Sequence, residues 1–106
     1  MAAIEVEGKT IEQNEEGFLV RPEEWDRAVA EILAKKEEGL DRLTPEHWVV
    51  IDFIREEFLE TNFAPIVRKI CKRTGLSLTR IYELFPSGPA KGACKVAGLP
   101  KPDGCV

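Results

Sequence analysis

Cys94 and Cys105 are the side chains in this 106-residue sequence whose type and spacing best suit chemistry. Both fall in the closing stretch Gly92-Ala-Cys-Lys-Val-Ala-Gly-Leu-Pro-Lys-Pro-Asp-Gly-Cys-Val106. Chain ends order poorly unless something ties them down, so a cysteine one residue from the last position is hard to explain as packing. Cys94 stands differently, on a helical stripe with Ala90, Ala93 and Ala97 at i, i+3, i+4 and i+7, which reads as a shallow groove of methyl groups. At roughly 1.5 Å per residue, Cys94 lies about 6 Å from a helix end at Gly98. The segment from Leu99 to Cys105 spans roughly 20 Å when extended. Folding back to the Cα separation of about 5.5 Å that a disulfide needs is therefore easy. Pro100 and Pro102 stiffen the segment, and Gly98 and Gly104 supply bends at its two ends. The pattern is a semi-rigid lever with a thiol at its tip. Two such thiols can pass through thiolate, persulfide, sulfenate and disulfide states, with Cys94 resolving whatever forms on Cys105. Lys91, Lys95 and Lys101 are near in sequence and favour thiolates. No general base adjoins either cysteine, so the chain reads as a carrier or protein co-substrate driven by partner enzymes rather than as an enzyme.

The remaining candidates are weaker. Cys71 falls on the apolar face of a predicted helix and is expected to be a buried, inert small hydrophobe. His47, the one histidine, follows a helix N-cap without an adjacent nucleophile and reads as structural. Three scattered cysteines, one histidine and no C-x-x-C pair argue against a zinc site, and no cofactor is expected. No apolar run approaches the roughly 18–20 residues of a membrane span, and Met1-Ala-Ala-Ile-Glu-Val-Glu lacks the pattern of a secretory leader. A cytoplasmic protein is expected, in which a disulfide would be transient. Net charge is −4 but unevenly spread. Residues 1–60 carry 17 acids against 7 bases, a net −10, and residues 61–106 carry 8 bases against 2 acids, a net +6. A basic half suits an acidic protein surface, an anion or nucleic acid.

Positioning falls to a mainly α (α+β) fold. Ile4-Glu-Val-Glu-Gly-Lys-Thr-Ile11 predicts a short hairpin turning at Gly8-Lys9, and Phe18-Leu19-Val20 a further extended segment. From Pro22, the spacing of Trp25, Val29, Ile32 and Leu33 predicts a first helix ending near Gly39. Thr44-Pro45-Glu46 opens a second, to about Thr61, whose Trp48, Val50, Ile51, Phe53, Ile54 and Phe58 make it central to the core. A third begins at Pro65 with Ile66, Val67, Ile70 and Cys71 on one face, and ends at Thr74-Gly75. Ser77 caps a fourth, with Leu78, Ile81, Tyr82 and Phe85 inward, and Pro86 stops it. The last helix opens at Pro89 and finishes at Gly98. The expected organisation is one domain, residues 1–98, and a flexible arm, residues 99–106.

Several of these residues form a recognisable pattern. Phe85-Pro-Ser-Gly-Pro-Ala-Lys91, Ala93-Cys94, Ala97-Gly-Leu-Pro-Lys-Pro102 and Gly104-Cys-Val106 resemble the C-terminal signature of the DsrC/TusE family of sulfur carriers. Glu16-Gly-Phe18, Trp25, Thr44-Pro-Glu-His-Trp48 and Ala64-Pro-Ile-Val-Arg68 extend the likeness over nearly the whole chain. The resemblance implies a helical fold with a helix-turn-helix and a mobile arm. It implies that Cys105 bears sulfur inside the channel of a dissimilatory sulfite reductase, toward the siroheme, and that Cys94 is its partner. A trisulfide would carry the sulfur, and a membrane-bound heterodisulfide-reductase-like complex would return the dithiol. Sulfurtransferases are further implied partners, and the free chain is expected to be a monomer. Family members acting only in tRNA thiolation typically keep the penultimate cysteine alone, so two cysteines favour the dissimilatory type. Arg68, Lys91 and Lys101 are candidate docking residues. The third and fourth helices also read as a DNA-binding helix-turn-helix with Arg68, Lys69, Lys72, Arg73 and Arg80 on a positive face. Only Arg80 and small polar groups would read bases from it, so DNA is the weaker alternative to an acidic protein partner.

Overall fold

The computed structural model describes residues 2–100, the side chains of Ala2 and Ala90 excepted. Strands β1 (Ala2–Val6) and β2 (Lys9–Gln13) form an antiparallel hairpin in which Ile4 faces Ile11 and Val6 faces Lys9. The turn lies at Glu7-Gly8, one residue earlier than the sequence suggests. Both residues have positive φ, 49° and 83°, the left-handed pair that a tight hairpin with right-twisted strands requires. Leu19 adds a single bridge to Gln13, so the third extended segment is one bridge long. Alternation along the hairpin buries Ile4, Val6 and Ile11 against Leu19, Val29 and Leu33.

The first helical stretch is broken where the periodicity runs on. Pro22–Glu24 is a single 3-10 turn, Trp25 is extended, and Asp26 caps α1 (Arg27–Glu38) by accepting the Val29 N–H at 2.9 Å. A capping aspartate restarts the helix because its carboxylate satisfies an orphan N–H that a continuous helix would not leave open. Trp25 therefore leaves the helical stripe.

Helix α2 (Pro45–Thr61) runs through the main core with Val50, Ile51 and Ile54 buried and Trp48, Phe53 and Phe58 partly so. His47 fixes its start. The Thr44 N–H donates to His47 Nδ1 at 3.0 Å, so the ring proton sits on Nε2, which donates to the Leu84 carbonyl at 2.8 Å. This histidine thus ties the beginning of α2 to the end of α4.

Helices α3 (Val67–Thr74) and α4 (Leu78–Leu84) form the expected helix-turn-helix, with Gly75 and Ser77 as its caps. Their inward faces are narrower than the sequence implies. Ile66 precedes α3 and is 56% exposed, and Leu78 and Tyr82 are 47% and 50% exposed, while Ile70, Ile81, Leu84 and Phe85 are buried. Only one stripe of a two-turn helix can reach the core, and Ile81, Leu84 and Phe85 occupy it. Cys71 is partly exposed at the edge of this core rather than buried in it. A wide π-helical turn, Pro89–Ala93, leads into α5 (Cys94–Val96).

Candidate functional site

Cys94 sits where the π-helical turn passes into α5. Its N–H donates to the Pro89 carbonyl five residues back, and the wider turn rotates the following side chains relative to a continuous α-helix. After Cys94 the chain closes in a paired cap: the Gly98 N–H donates to the Lys95 carbonyl at 3.0 Å and the Leu99 N–H to the Cys94 carbonyl at 3.2 Å. This is the two-bond arrangement that ends a helix on a left-handed residue, here Gly98 at φ 76°. Leu99, which the sequence reading gave to the arm, is fully buried in the main core, so the chain is anchored through that position.

The alanine stripe is a packed face, not a groove. Ala93 and Ala97 are fully buried and Cys94 is 1% exposed, with α5 against α1 and α2. Burial pushes the Cys94 thiol up to about 12, because a thiolate there would lose its solvation. Nor does Lys95 supply a counter-charge. Its ammonium lies 3.6 Å from the Glu37 carboxylate, both side chains largely shielded, and 5.1 Å from the Phe18 ring centre. Glu37 in turn accepts from the Gln13 amide, whose oxygen accepts from Lys36 at 2.7 Å. The expectation that neighbouring lysines favour a Cys94 thiolate is thus corrected for Lys95, which points into a network joining α5, α1 and the hairpin. Lys91 is exposed. Lys101 and Cys105 lie outside the described residues, as does the expected arm from residue 101 onward.

Two further side chains hold this segment, and sequence reading misses their role. The Trp25 indole N–H donates to the Val96 carbonyl at 2.9 Å. Arg55, from the middle of α2, donates to the carbonyls of Pro22 at 2.8 Å, Ala97 at 3.2 Å and Gly98 at 3.4 Å, and its guanidinium carbon lies 4.7 Å from the Trp25 ring centre. Partial burial pulls the Arg55 pKa down, with Glu23 opposing. One signal exists: Arg55 is the one Lys or Arg in α2, among Asp52, Glu56, Glu57 and Glu60. Glu38 supports the other end of the segment by accepting the Ser87 N–H at 3.0 Å.

The basic helices divide into engaged and unengaged residues. Arg80 is held by Glu46, with Nε to Oε2 at 3.1 Å, and by Glu83 at 3.2 Å, and these bonds raise its pKa and lower that of Glu46. Lys69 pairs with Glu57 at 2.9 Å, and Arg73 lies over Phe53. Arg68 and Lys72 are exposed on one face of α3, and among the described residues neither has an ion-pair partner. The one base of α4 is thereby occupied within the protein. Among the described residues no cluster of three His, Cys, Asp or Glu side chains could hold a metal, and no helix is long and apolar enough to cross a membrane.

Known proteins share both the sequence and the arrangement. The family described as DsrC like protein matches residues 5–106. The gamma subunit of dissimilatory-type sulfite reductase from Nitratidesulfovibrio vulgaris is 47% identical over the full length of both chains. The sulfurtransferase TusE of Escherichia coli K12 is 41% identical, over 94% of this chain and 96% of that one. In three dimensions, the crystal structure of the oxidized gamma subunit (DsrC) from Archaeoglobus fulgidus superposes with a TM-score of 0.88 at 47% identity, covering 99% of this chain and all of the other. The family match, the full-length identity and the superposition agree, and the chain belongs to the DsrC-like family.

Proposed function

We propose that the protein carries sulfur between enzymes, as a co-substrate of a dissimilatory sulfite reductase, with Cys105 bearing the sulfur and Cys94 completing the linkage. The observation that carries this reading is the pairing of a shielded, protonated thiol at position 94 with a second cysteine ten intervening residues later, in a chain 47% identical to a sulfite reductase gamma subunit. A thiol kept from solvent is spared from stray oxidation and disulfide exchange until its partner arrives. The chemistry balances as sulfite, the two thiols, two electrons from the reductase and four protons giving a Cys94–S–Cys105 trisulfide and three waters. Four electrons and four protons from a heterodisulfide-reductase-like membrane complex then restore both thiols and release hydrogen sulfide. Among the described residues no general base or bonded cation adjoins the Cys94 thiol, which favours a substrate of partner enzymes over an independent catalyst.

A relay role toward sulfurtransferases is the second reading, favoured by the 41% identity to TusE. Both use Cys105 and differ in whether Cys94 is required. DNA binding is the weaker alternative, because Arg80 is engaged by Glu46 and Glu83.

Intact-mass measurement after incubation with active sulfite reductase, sulfite and reductant tests the proposal. The expected product has gained one sulfur and lost two hydrogens. Cys105→Ser should gain nothing, and Cys94→Ser should gain sulfur on Cys105 without closing the linkage. No gain in the wild-type chain, or an undiminished gain in Cys105→Ser, would overturn it.

A further inference from the structure

The route by which Cys94 becomes reachable is written in the groups that hold α5 down. Arg55 is a partly buried cation whose three hydrogen bonds all go to main-chain carbonyls, at Pro22, Ala97 and Gly98. Among the described residues no carboxylate is in ion-pair contact with it. Trp25 lies under the guanidinium and bonds the adjacent carbonyl of Val96. Three successive carbonyls, 96 to 98, are thereby held by two side chains distant in sequence. They belong to the turn that starts at Cys94 and is closed by the Leu99 N–H on the Cys94 carbonyl. Helix-end carbonyls are the orphan acceptors of a helix, and a guanidinium satisfies several at once. One arm of the guanidinium, Nη1, spans the carbonyls of 97 and 98, and the other, Nη2, holds Pro22.

We propose that Arg55, stacked on Trp25, is a positioning residue that clasps the 94–99 turn and sets how often Cys94 is exposed. Opening the clasp frees the 94–99 turn and turns the thiol outward while the rest of the core stays folded. The use of that opening, meeting a second thiol, rests on the sulfur-carrier reading; the opening itself does not.

Native-state thiol labelling of full-length Cys105→Ser protein separates the two remaining cysteines, and Cys71 on α3 serves as an internal reference. Hydrogen bonds to a charged donor are worth enough that Arg55→Met should raise the Cys94 labelling rate about tenfold or more, while the Cys71 rate stays within about twofold. Arg55→Lys, which can keep one carbonyl bond, should fall between. A merely structural arginine would raise Cys94 labelling by no more than the loss of global stability, read from urea unfolding of the same variant, predicts, while the partly exposed Cys71 controls for reagent and surface changes. If Arg55→Met fails to fold, Trp25→Phe removes the bond to the Val96 carbonyl and leaves a smaller ring under the guanidinium, and it should still raise Cys94 labelling beyond the loss of global stability, with faster hydrogen exchange at the Gly98 and Leu99 amides. No acceleration of Cys94, or one no greater than the measured loss of global stability predicts, would overturn the clasp. That result would leave sulfur loading by the reductase unaffected as a separate question.

Discussion

Cys94 shows how far environment outweighs residue type. A cysteine beside Lys95 on a short helix suggests an activated thiolate, yet the lysine is spent on Glu37 and the sulfur is buried. Its pKa, pushed up to about 12 from an ordinary value of about 9, has a consequence for stability. The folded state keeps the proton in a range where the unfolded state has lost it. The contribution is therefore fully present below pH 9 and fades as pH rises toward 12. Cys94→Ala removes it. Urea unfolding at a series of pH values should show the wild type losing stability relative to Cys94→Ala above pH 9, with a slope approaching about 1.4 kcal/mol per pH unit. Parallel curves would mean that the thiol titrates freely in the folded chain. At neutral pH the same burial leaves Cys94 a thiol, so any reaction it makes as a nucleophile must follow its exposure.

At the scale of elements, the sequence was most legible where signals are local. Thr44, Ser77, Gly39 and Gly75 stand at the helix ends their types suggest, because a cap satisfies backbone groups a few residues away. Gly98 likewise ends its helix in the left-handed region, whereas Leu99, which the sequence assigns to the arm, is buried in a core that no local pattern reveals. The break at Trp25 is masked by its spacing to Val29 and Leu33, which fits a continuous helix; the Asp26 cap restarts the helix and Trp25 turns to Val96, 71 residues on. Tyr82 fits the helical spacing yet stays half exposed, because α4 shows its core one stripe and an aromatic beside that stripe lies along the surface. Gly98 offers a test of the resulting packing. At φ 76° a side chain is strained, and a Cβ there would also overlap the Trp25 ring and come within 2.7 Å of its Cβ. Gly39 has a similar φ of 69° and nothing within 4 Å of the added carbon. Gly39→Ala should cost about 1 kcal/mol in denaturant unfolding, the left-handed penalty alone. Gly98→Ala should cost roughly 3 kcal/mol or more, the excess reporting the Trp25 contact. Equal losses would show that Trp25 yields without cost.

Over the whole molecule, the acidic first part and basic last part of the sequence turn out to be stitched together. Lys95 meets Glu37, Lys69 meets Glu57, and Arg80 meets Glu46, each pair joining residues from opposite sides of position 60. Charge counts therefore overstate the basic surface on offer to a partner. Arg68 and Lys72 remain, exposed one helical turn apart on α3. An approaching acidic surface would feel these two more than Arg80, whose charge is locally balanced by two carboxylates. Long-range steering acts mainly on association and is screened by salt. The double reversal Arg68→Glu with Lys72→Glu should thus slow association with an active sulfite reductase and flatten its dependence on ionic strength, while changing dissociation little. Arg80→Glu should have a smaller effect on association and should instead lower stability, since it sets a third carboxylate beside Glu46 and Glu83. Stopped-flow association at several salt concentrations, with unfolding curves for each variant, measures both. Faster or unchanged association in the double reversal would move the docking surface away from α3, leaving Lys91 as the exposed base to test next.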